Sequence, residues 1–283
     1  MANSMNSKIC LITGATSGIG KATARGLALQ SATVIVVGRS KAKCLATVNS
    51  IVQQTGNASI DYLVADLASQ QEIRRLAQEF LQRYPRLDVL VNNAGTNRLT
   101  RQLSPDGIEL VFATNHLSYF LLTHLLLDVL RASAPARIVV VSSYYHRQAR
   151  LDFKRLQAGG LNAYPLSKLA NLLFTYELAR RLEGSGVTVN ALNPGLVKSK
   201  IGLDMPGLAS VIKRLMNRFS GISTEEGAKT SIYLATSPEV EGVSGQYFEK
   251  CLPIASSPAS YDQEAAERLW RISADLTGIA PGD

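Results

Sequence analysis

Short apolar runs alternate with longer segments of mixed polarity from Lys8 to about Tyr247, and this alternation predicts repeated strand–helix units. Ile9-Cys10-Leu11-Ile12 ends at a Gly-rich turn, and residues 21–30, rich in Ala and Leu, continue as a helix. A β-branched run over 33–38 precedes a polar helix over 40–54. Residues 60–65 form a third strand ending at Asp66, and Ser69 is placed to cap a helix reaching about 84. A fourth strand, 87–91, ends at Asn92-Asn93-Ala94-Gly95, and a long helix follows over 105–131. Residues 137–142 make a fifth strand whose Ile138-Val139-Val140-Val141 is apolar throughout, as suits a parallel strand covered on both faces. Then come a helix over 162–183, a strand over 187–192, a helical flap over 205–220 and a helix over 224–235. A last strand, 246–248, and a helix over 263–276 complete the pattern.

Repeated βα units on one sheet specify α/β architecture: a single Rossmann-type, doubly wound domain over 1–283, with a central parallel sheet of about seven strands and helices on both faces. Within it, 199–222 reads as a substrate flap and 249–283 as a C-terminal tail. No linker, repeat or low-complexity block divides the 283 residues, and their 46% hydrophobic content suffices for a full core.

Charge and cysteine content exclude several classes. The net charge of +8 is scattered and carries no aromatic-interleaved basic stripe, so no nucleic-acid partner is expected. Cys10, Cys44 and Cys251 give neither a disulfide framework nor a zinc spacing, and His116, His124 and His146 form no ligand pattern, so no metal is expected. The apolar stretch 117–130 is interrupted by His124 and Asp128 and falls short of the roughly 20 residues that span a bilayer. A soluble, cytoplasmic protein is the expectation. Lys213, Arg214, Met216, Arg218 and Phe219 form a basic amphipathic stretch that leaves peripheral membrane contact open.

Gly14, Thr16, Ser17, Gly18, Ile19 and Gly20 lie between the first strand and the first helix. Glycine there permits positive φ and close approach of a pyrophosphate, which the helix N-terminus attracts. The end of the second strand selects the dinucleotide. NAD sites carry an acid there, whereas this chain has Gly38 followed by Arg39, Lys41 and Lys43. Arg39 pairs with a 2′-phosphate or is a plain surface charge; the first reading makes the cofactor NADP(H) rather than NAD(H). Asp66 and Leu67, with Asn93, Ala94 and Gly95, lie at carboxyl strand ends, where they meet adenine and ribose or merely turn the chain.

Tyr164 and Lys168 share one helix face, so the ammonium lies near the phenol and favours phenolate. Bringing a phenol from about 10 to about 7 takes roughly 4 kcal/mol, which Lys168 and an oxidised nicotinamide together can provide. The pair alone is weak, since composition yields about 0.4 such pairs by chance. Ser142-Ser143 at a strand end offers an oxyanion donor or a structural cap. Asn115, on an otherwise apolar helix, is either satisfied in the core or part of a proton relay.

These motifs, with Pro194-Gly195, come in an order that resembles the short-chain dehydrogenase/reductase family over nearly the whole chain. The resemblance implies an Asn115–Ser143–Tyr164–Lys168 tetrad with Tyr164 as general acid/base. It also implies nicotinamide carboxamide contacts from Val197 and Ser199, and dimers or tetramers assembled through 105–131 and 162–183. Ser143 and Tyr164 stand farther apart than is usual in the family. The extra residues, 144–160, resemble the retinol dehydrogenase-like branch, as do Tyr164-Pro165-Leu166-Ser167-Lys168-Leu169-Ala170-Asn171 and Arg268-Leu269-Trp270-Arg271-Ile272-Ser273. Members of that branch acting on retinoids often carry an N-terminal membrane anchor, a segment not expected in this chain. The implied activity is an NADP(H)-dependent carbonyl reductase or dehydrogenase acting on a small apolar aldehyde, ketone or alcohol. The flap, 208–219, is then a greasy lid or an ordinary surface helix. A non-catalytic NADP(H)-binding sensor or scaffold is the alternative.

Overall fold

The computed structural model describes residues 5–196 and 221–280. One sheet in the order β3-β2-β1-β4-β5-β6-β7-β8 organises the chain. Its strands are β1 (Ile9–Thr13), β2 (Thr33–Gly38), β3 (Ile60–Val64), β4 (Val89–Asn92), β5 (Ala136–Val141), β6 (Val187–Asn193), β7 (Tyr247–Glu249) and β8 (Leu252–Pro253). The first seven are parallel, and β8 runs antiparallel to β7. The strand count therefore exceeds the expected seven by one. β8 is two exposed residues, joined to β7 through Lys250 and Cys251 at φ 51° and 62°. Hairpin turns with positive φ normally advertise themselves by Asn or Gly, and neither is present here.

Alternate strand residues face opposite layers. Leu11, Ile35, Leu90, Ile138 and Val189 pack with α3 (Gln70–Arg83), α5 (Ser118–Leu125) and α7 (Ala163–Arg181). Cys10, Ile12, Val34, Val91 and Val139 face α1 (Gly18–Ala28), α2 (Lys41–Thr55) and α8 (Thr224–Thr236). The Ser40 and Ser69 hydroxyls accept the Lys43 and Glu72 amides at 3.4 Å, fixing the starts of α2 and α3.

The helix expected over 105–131 is broken. It starts as α4 (Leu110–Phe112), where the Glu109 carboxylate accepts the Phe112 amide at 2.8 Å. It widens into a π-helical segment, Ala113–Leu117, resumes as α5, and kinks at Leu126 (φ −108°, ψ 6°) into α6 (Leu127–Ala132). The last helix, α9 (Gln263–Thr277), lies across both α5 and α7. Trp270 stacks on Phe174 at 5.9 Å and meets Phe120 edge-on at 5.0 Å, while Ser273 reaches the His116 Nε2 at 2.9 Å. α9 thus packs on both of the helices that the resemblance names for pairing subunits. Most of the flap, including 208–219 and the basic stretch 213–219, lies outside the described residues.

Candidate active site

The site is assembled at the carboxyl ends of β1, β4, β5 and β6, where ligands of open parallel sheets bind. After β1 the chain turns through Gly14 and Gly18, at φ 64° and 58°. A Cβ on Gly20 would lie 2.4 Å from Asn93 Nδ2 and 2.5 Å from the Gly14 carbonyl, so only glycine lets α1 approach. Ser17 precedes α1 in extended conformation, its hydroxyl capping no amide, and no acid stands in the first turn. Thr16, Ser17 and Ile19 all remain at least partly accessible beside those amides. That is an anion cradle, and it fits a dinucleotide pyrophosphate.

Across the cradle, Asn93 Nδ2 donates to the Thr13 carbonyl at 2.7 Å. The Thr13 hydroxyl accepts the Asn93 and Ala94 amides at 2.8 and 3.0 Å and donates to the Val91 carbonyl. Ala94 is buried and Gly95 lies beside Asn115 and Lys168. At the end of β2, a Cβ on Gly38 would sit 2.4 Å from Thr16 Cγ2 and 3.0 Å from Cys44 Sγ, so packing closes the seat an acid would need. Arg39 is exposed and makes no hydrogen bond or ion pair among the described residues. One Asp66 carboxylate oxygen accepts the Ala68 amide at 3.0 Å, which ties it into a turn, while Leu67 is buried. Gly195 has φ 82°, its amide donating to Asn193 Oδ1 at 3.2 Å, and Pro194 is half-buried beside it. Val197 and Ser199 lie outside the described residues.

The four residues of the candidate tetrad come together. Tyr164 and Lys168 project from the first turns of α7, and the Ser143 hydroxyl, which accepts the Tyr145 amide at 3.3 Å, lies close enough to the Tyr164 phenol to act on it. Lys168 Nζ stands 5.7 Å from the Tyr164 ring centre and donates to the Val141 carbonyl at 2.8 Å. Ser142 is separated from Ser143 by function: it is buried, and its hydroxyl donates to the Lys168 carbonyl at 2.8 Å. Asn115, fully buried in the π-helical turn, is a clamp. Its Oδ1 accepts the Thr96 amide at 2.7 Å, and its Nδ2 donates to the Thr96 carbonyl at 2.9 Å and to Ser167 Oγ at 3.0 Å. Such π-turns recur at functional sites because they re-aim one side chain.

Electrostatics depart from the expected phenolate. Burial pushes the Tyr164 phenol up to about 12, with the Ser143 hydrogen bond opposing and Tyr145 reinforcing. Burial also pulls Lys168 down to about 7. The neighbouring cation does not win, because both groups lose water together and desolvation favours the neutral form of each. Sequence reasoning missed Tyr119, whose buried hydroxyl donates to the Ala94 carbonyl at 2.7 Å and whose ring lies 5.7 Å from Lys168 Nζ. It also missed Tyr145, packed edge-on 6.0 Å from Tyr164. A cavity of about 950 Å³ lies at the opposite end of the sheet, against Met5, Arg137, Val187 and Gly245, and includes none of the candidate residues.

Residues 8–205 match the family model for short chain dehydrogenases. The chain belongs to the short-chain dehydrogenase family. It is 45% identical to mouse retinol dehydrogenase 14, spanning 97% of this chain and 87% of the relative. Bovine dehydrogenase/reductase SDR family member 13 is 42% identical over 99% of this chain and 76% of its own length. Human retinol dehydrogenase 13 is 41% identical over 96% and 85%. Among solved structures, an uncharacterized protein from Mycobacterium paratuberculosis superposes with TM-score 0.77 at 31% identity, covering 98% of this chain and 95% of that one. A short chain dehydrogenase from Shigella flexneri complexed with NADP gives 0.72 at 25% identity, over 89% and 100%. This family member is thus retinol dehydrogenase-like, an oxidoreductase of alcohol and carbonyl groups that uses a nicotinamide dinucleotide. No helix among the described residues is long and apolar enough to cross a membrane, and none of their His, Cys, Asp and Glu side chains cluster as a metal site.

Proposed function

We propose that this short-chain dehydrogenase is an NADP(H)-dependent enzyme that interconverts an apolar aldehyde or ketone and its alcohol, with Tyr164 as general acid/base. The observation that carries the reading is the Tyr164 phenol, with Ser143 beside it and Lys168 across its ring, at the sheet edge that also holds the glycine cradle. When bound, a nicotinamide cofactor would supply or accept the hydride at the carbonyl carbon. Ser143 donates to the carbonyl oxygen, Tyr164 passes its proton to that oxygen, and Lys168 holds ribose hydroxyls and tunes the phenol. Asn115 keeps the β4 loop and α7 in register through Thr96 and Ser167. Gly14, Thr16, Ser17, Gly18, Ile19 and Gly20 hold the pyrophosphate; Asp66, Leu67, Asn93, Ala94, Gly95, Pro194 and Gly195 line the adenosine and nicotinamide ends.

The 2′-phosphate preference is supported by the exposed Arg39, which has no ion pair among the described residues, and by packing that keeps an acid out of position 38. An apolar substrate is supported by the exposed Tyr145, packed edge-on against Tyr164, by the exposed Leu161 three residues before it, and by relatives named retinol dehydrogenases. Tyr164→Phe is expected to lower kcat about 10²- to 10⁴-fold, with NADPH affinity by fluorescence titration unchanged. Retained turnover rules out the assignment. A wild-type protein that binds NADPH yet turns over nothing in a panel of aldehydes, ketones and alcohols is instead a sensor or scaffold.

A further inference from the structure

The residues between Ser143 and Tyr164 do not stand alone: the C-terminal segment packs against them at several points. Leu156 shares a core with Ala265, Ala266 and Leu269 of α9, and the Arg268 guanidinium lies 4.3 Å above the Phe153 ring. Arg147 donates to the carbonyls of Ala255 and Ser256. At the centre of this joint is His146, 1% exposed, with its ring edge-on to Tyr247 at 5.1 Å. The Ser257 amide donates to His146 Nε2 at 3.0 Å, and an amide has only a proton to offer, so Nε2 is the acceptor. The proton therefore sits on Nδ1, which lies 2.6 Å from the Ser143 carbonyl and donates to it. The same carbonyl accepts the His146 backbone amide at 3.2 Å. One neutral imidazole thus spans from the C-terminal segment to the peptide that carries the Ser143 hydroxyl. Burial favours this neutral ring, as does the adjacent Arg147 charge, against the partial opposition of the Ser143 bond.

We propose that His146 is a positioning residue for the reaction, fixing the Ser143 peptide against the C-terminal segment so that the Ser143 hydroxyl stays aimed at Tyr164. This rests on the role given to Ser143 above. The ring touches neither the Tyr164 phenol nor the cradle, so it acts on the step through Ser143 alone. Displacing a reacting group by about 1 Å can cost on the order of 100-fold in rate. The loss belongs in kcat, because the cofactor cradle is held by Thr13 at the end of β1 and Asn93 just past β4.

Asparagine and glutamine separate the two halves of the link. His146→Asn places an amide N–H near the Nδ1 position and keeps the bond to Ser143; His146→Gln reaches toward Ser257 and loses that bond. Expected are kcat within about threefold of wild type for His146→Asn, and a fall of about 10- to 100-fold for His146→Gln and His146→Ala. NADPH affinity stays within about twofold in all three. Equal kcat losses in the Asn and Gln variants, or an unchanged kcat in either the Gln or the Ala variant, overturn the proposal. The Asn/Gln comparison decides the matter if His146→Ala fails to fold. Ser143→Ala and Tyr164→Phe, run in parallel, separate the failures: if both keep turnover, the proposed function itself is wrong. If both abolish turnover while His146→Gln stays at wild-type kcat, only the positioning role is lost.

Discussion

Replacing Lys168 with Met is expected to stabilise the protein below neutral pH while destroying its activity. The lysine is 3% exposed, its ammonium donates to the Val141 carbonyl, and burial lowers it from an ordinary 10.5 to about 7. At about 1.4 kcal/mol per pH unit, that gap is an intrinsic cost of about 5 kcal/mol for carrying the charge in the folded state. Between about 7 and 10.5 the unfolded chain binds more protons at this site than the folded one, so stability rises with pH across that window. Below about 7 both states are protonated and the full cost is present. Methionine has similar length and no charge, but it orphans the Val141 carbonyl, a loss of about 1–3 kcal/mol. Lys168→Met should therefore be about 2–4 kcal/mol more stable than wild type at pH 6, and the difference should shrink and change sign toward pH 10.5. Urea unfolding at pH 6, 8 and 10 reads this directly, with kcat measured on the same samples. A variant less stable than wild type at pH 6, or a stability difference independent of pH, refutes the reasoning, because the lysine would then have a compensating anion.

Three further outcomes are expected. Arg39→Ala should raise the NADPH KM about 10- to 100-fold and leave the NADH KM unchanged, as loss of a charge-assisted phosphate contact requires; a parallel change in both removes the 2′-phosphate role. Gly20→Ala forces a methyl group onto Asn93 Nδ2 and the Gly14 carbonyl, and should cost about 1–3 kcal/mol in unfolding free energy along with NADPH affinity; calorimetry and titration check both. Because α9 covers α5 and α7, the intact chain should not associate through those helices, whereas Trp270→Ala should lose about 3–5 kcal/mol and begin to self-associate. Hydrogen exchange in α5 and α7 that slows with rising wild-type concentration would contradict this.

Most of the sheet was legible because its strands are buried on both faces, and sequences such as Ile138-Val139-Val140-Val141 leave few other options. Ser40 and Ser69 announced helix starts that the structure places one residue later. What local pattern could not supply was decided by tertiary contact. The segment from Val111 to Leu130 reads as one mostly apolar helix, so nothing in its pattern betrays the π-turn at Asn115 or the kink at Leu126. The π-turn arises where Asn115 must reach Thr96 and Ser167 from inside a packed helix. The cover formed by α9 was equally hidden. Trp270 reads as one aromatic on an amphipathic helix, and only its contacts with Phe120 and Phe174, about 100–150 positions away, give it a place.

The chemistry was legible as a set of residue types and misleading as a charge balance. Spacing put an ammonium beside a phenol, and in water that pairing favours phenolate. In the folded chain Lys168 is buried and Tyr164 half-buried, and desolvation acts on each in the direction that removes charge. The resulting state has the proton on Tyr164 and a readily neutralised Lys168, which is the arrangement a carbonyl oxygen needs in order to be protonated as it gains hydride. The opposite direction, alcohol oxidation, first requires that proton to leave a phenol held near 12, so it depends on a positive charge brought into the site from outside the chain. With the chain's own groups alone, Tyr164 therefore starts in the protonated form that reduction draws on. The oxidation rate should rise steeply with pH, while the reduction rate keeps its proton donor until Tyr164 begins to ionise and changes near pH 7 only as Lys168 is neutralised. Parallel pH profiles with NADPH and NADP check this, and a flat oxidation profile would reverse the argument.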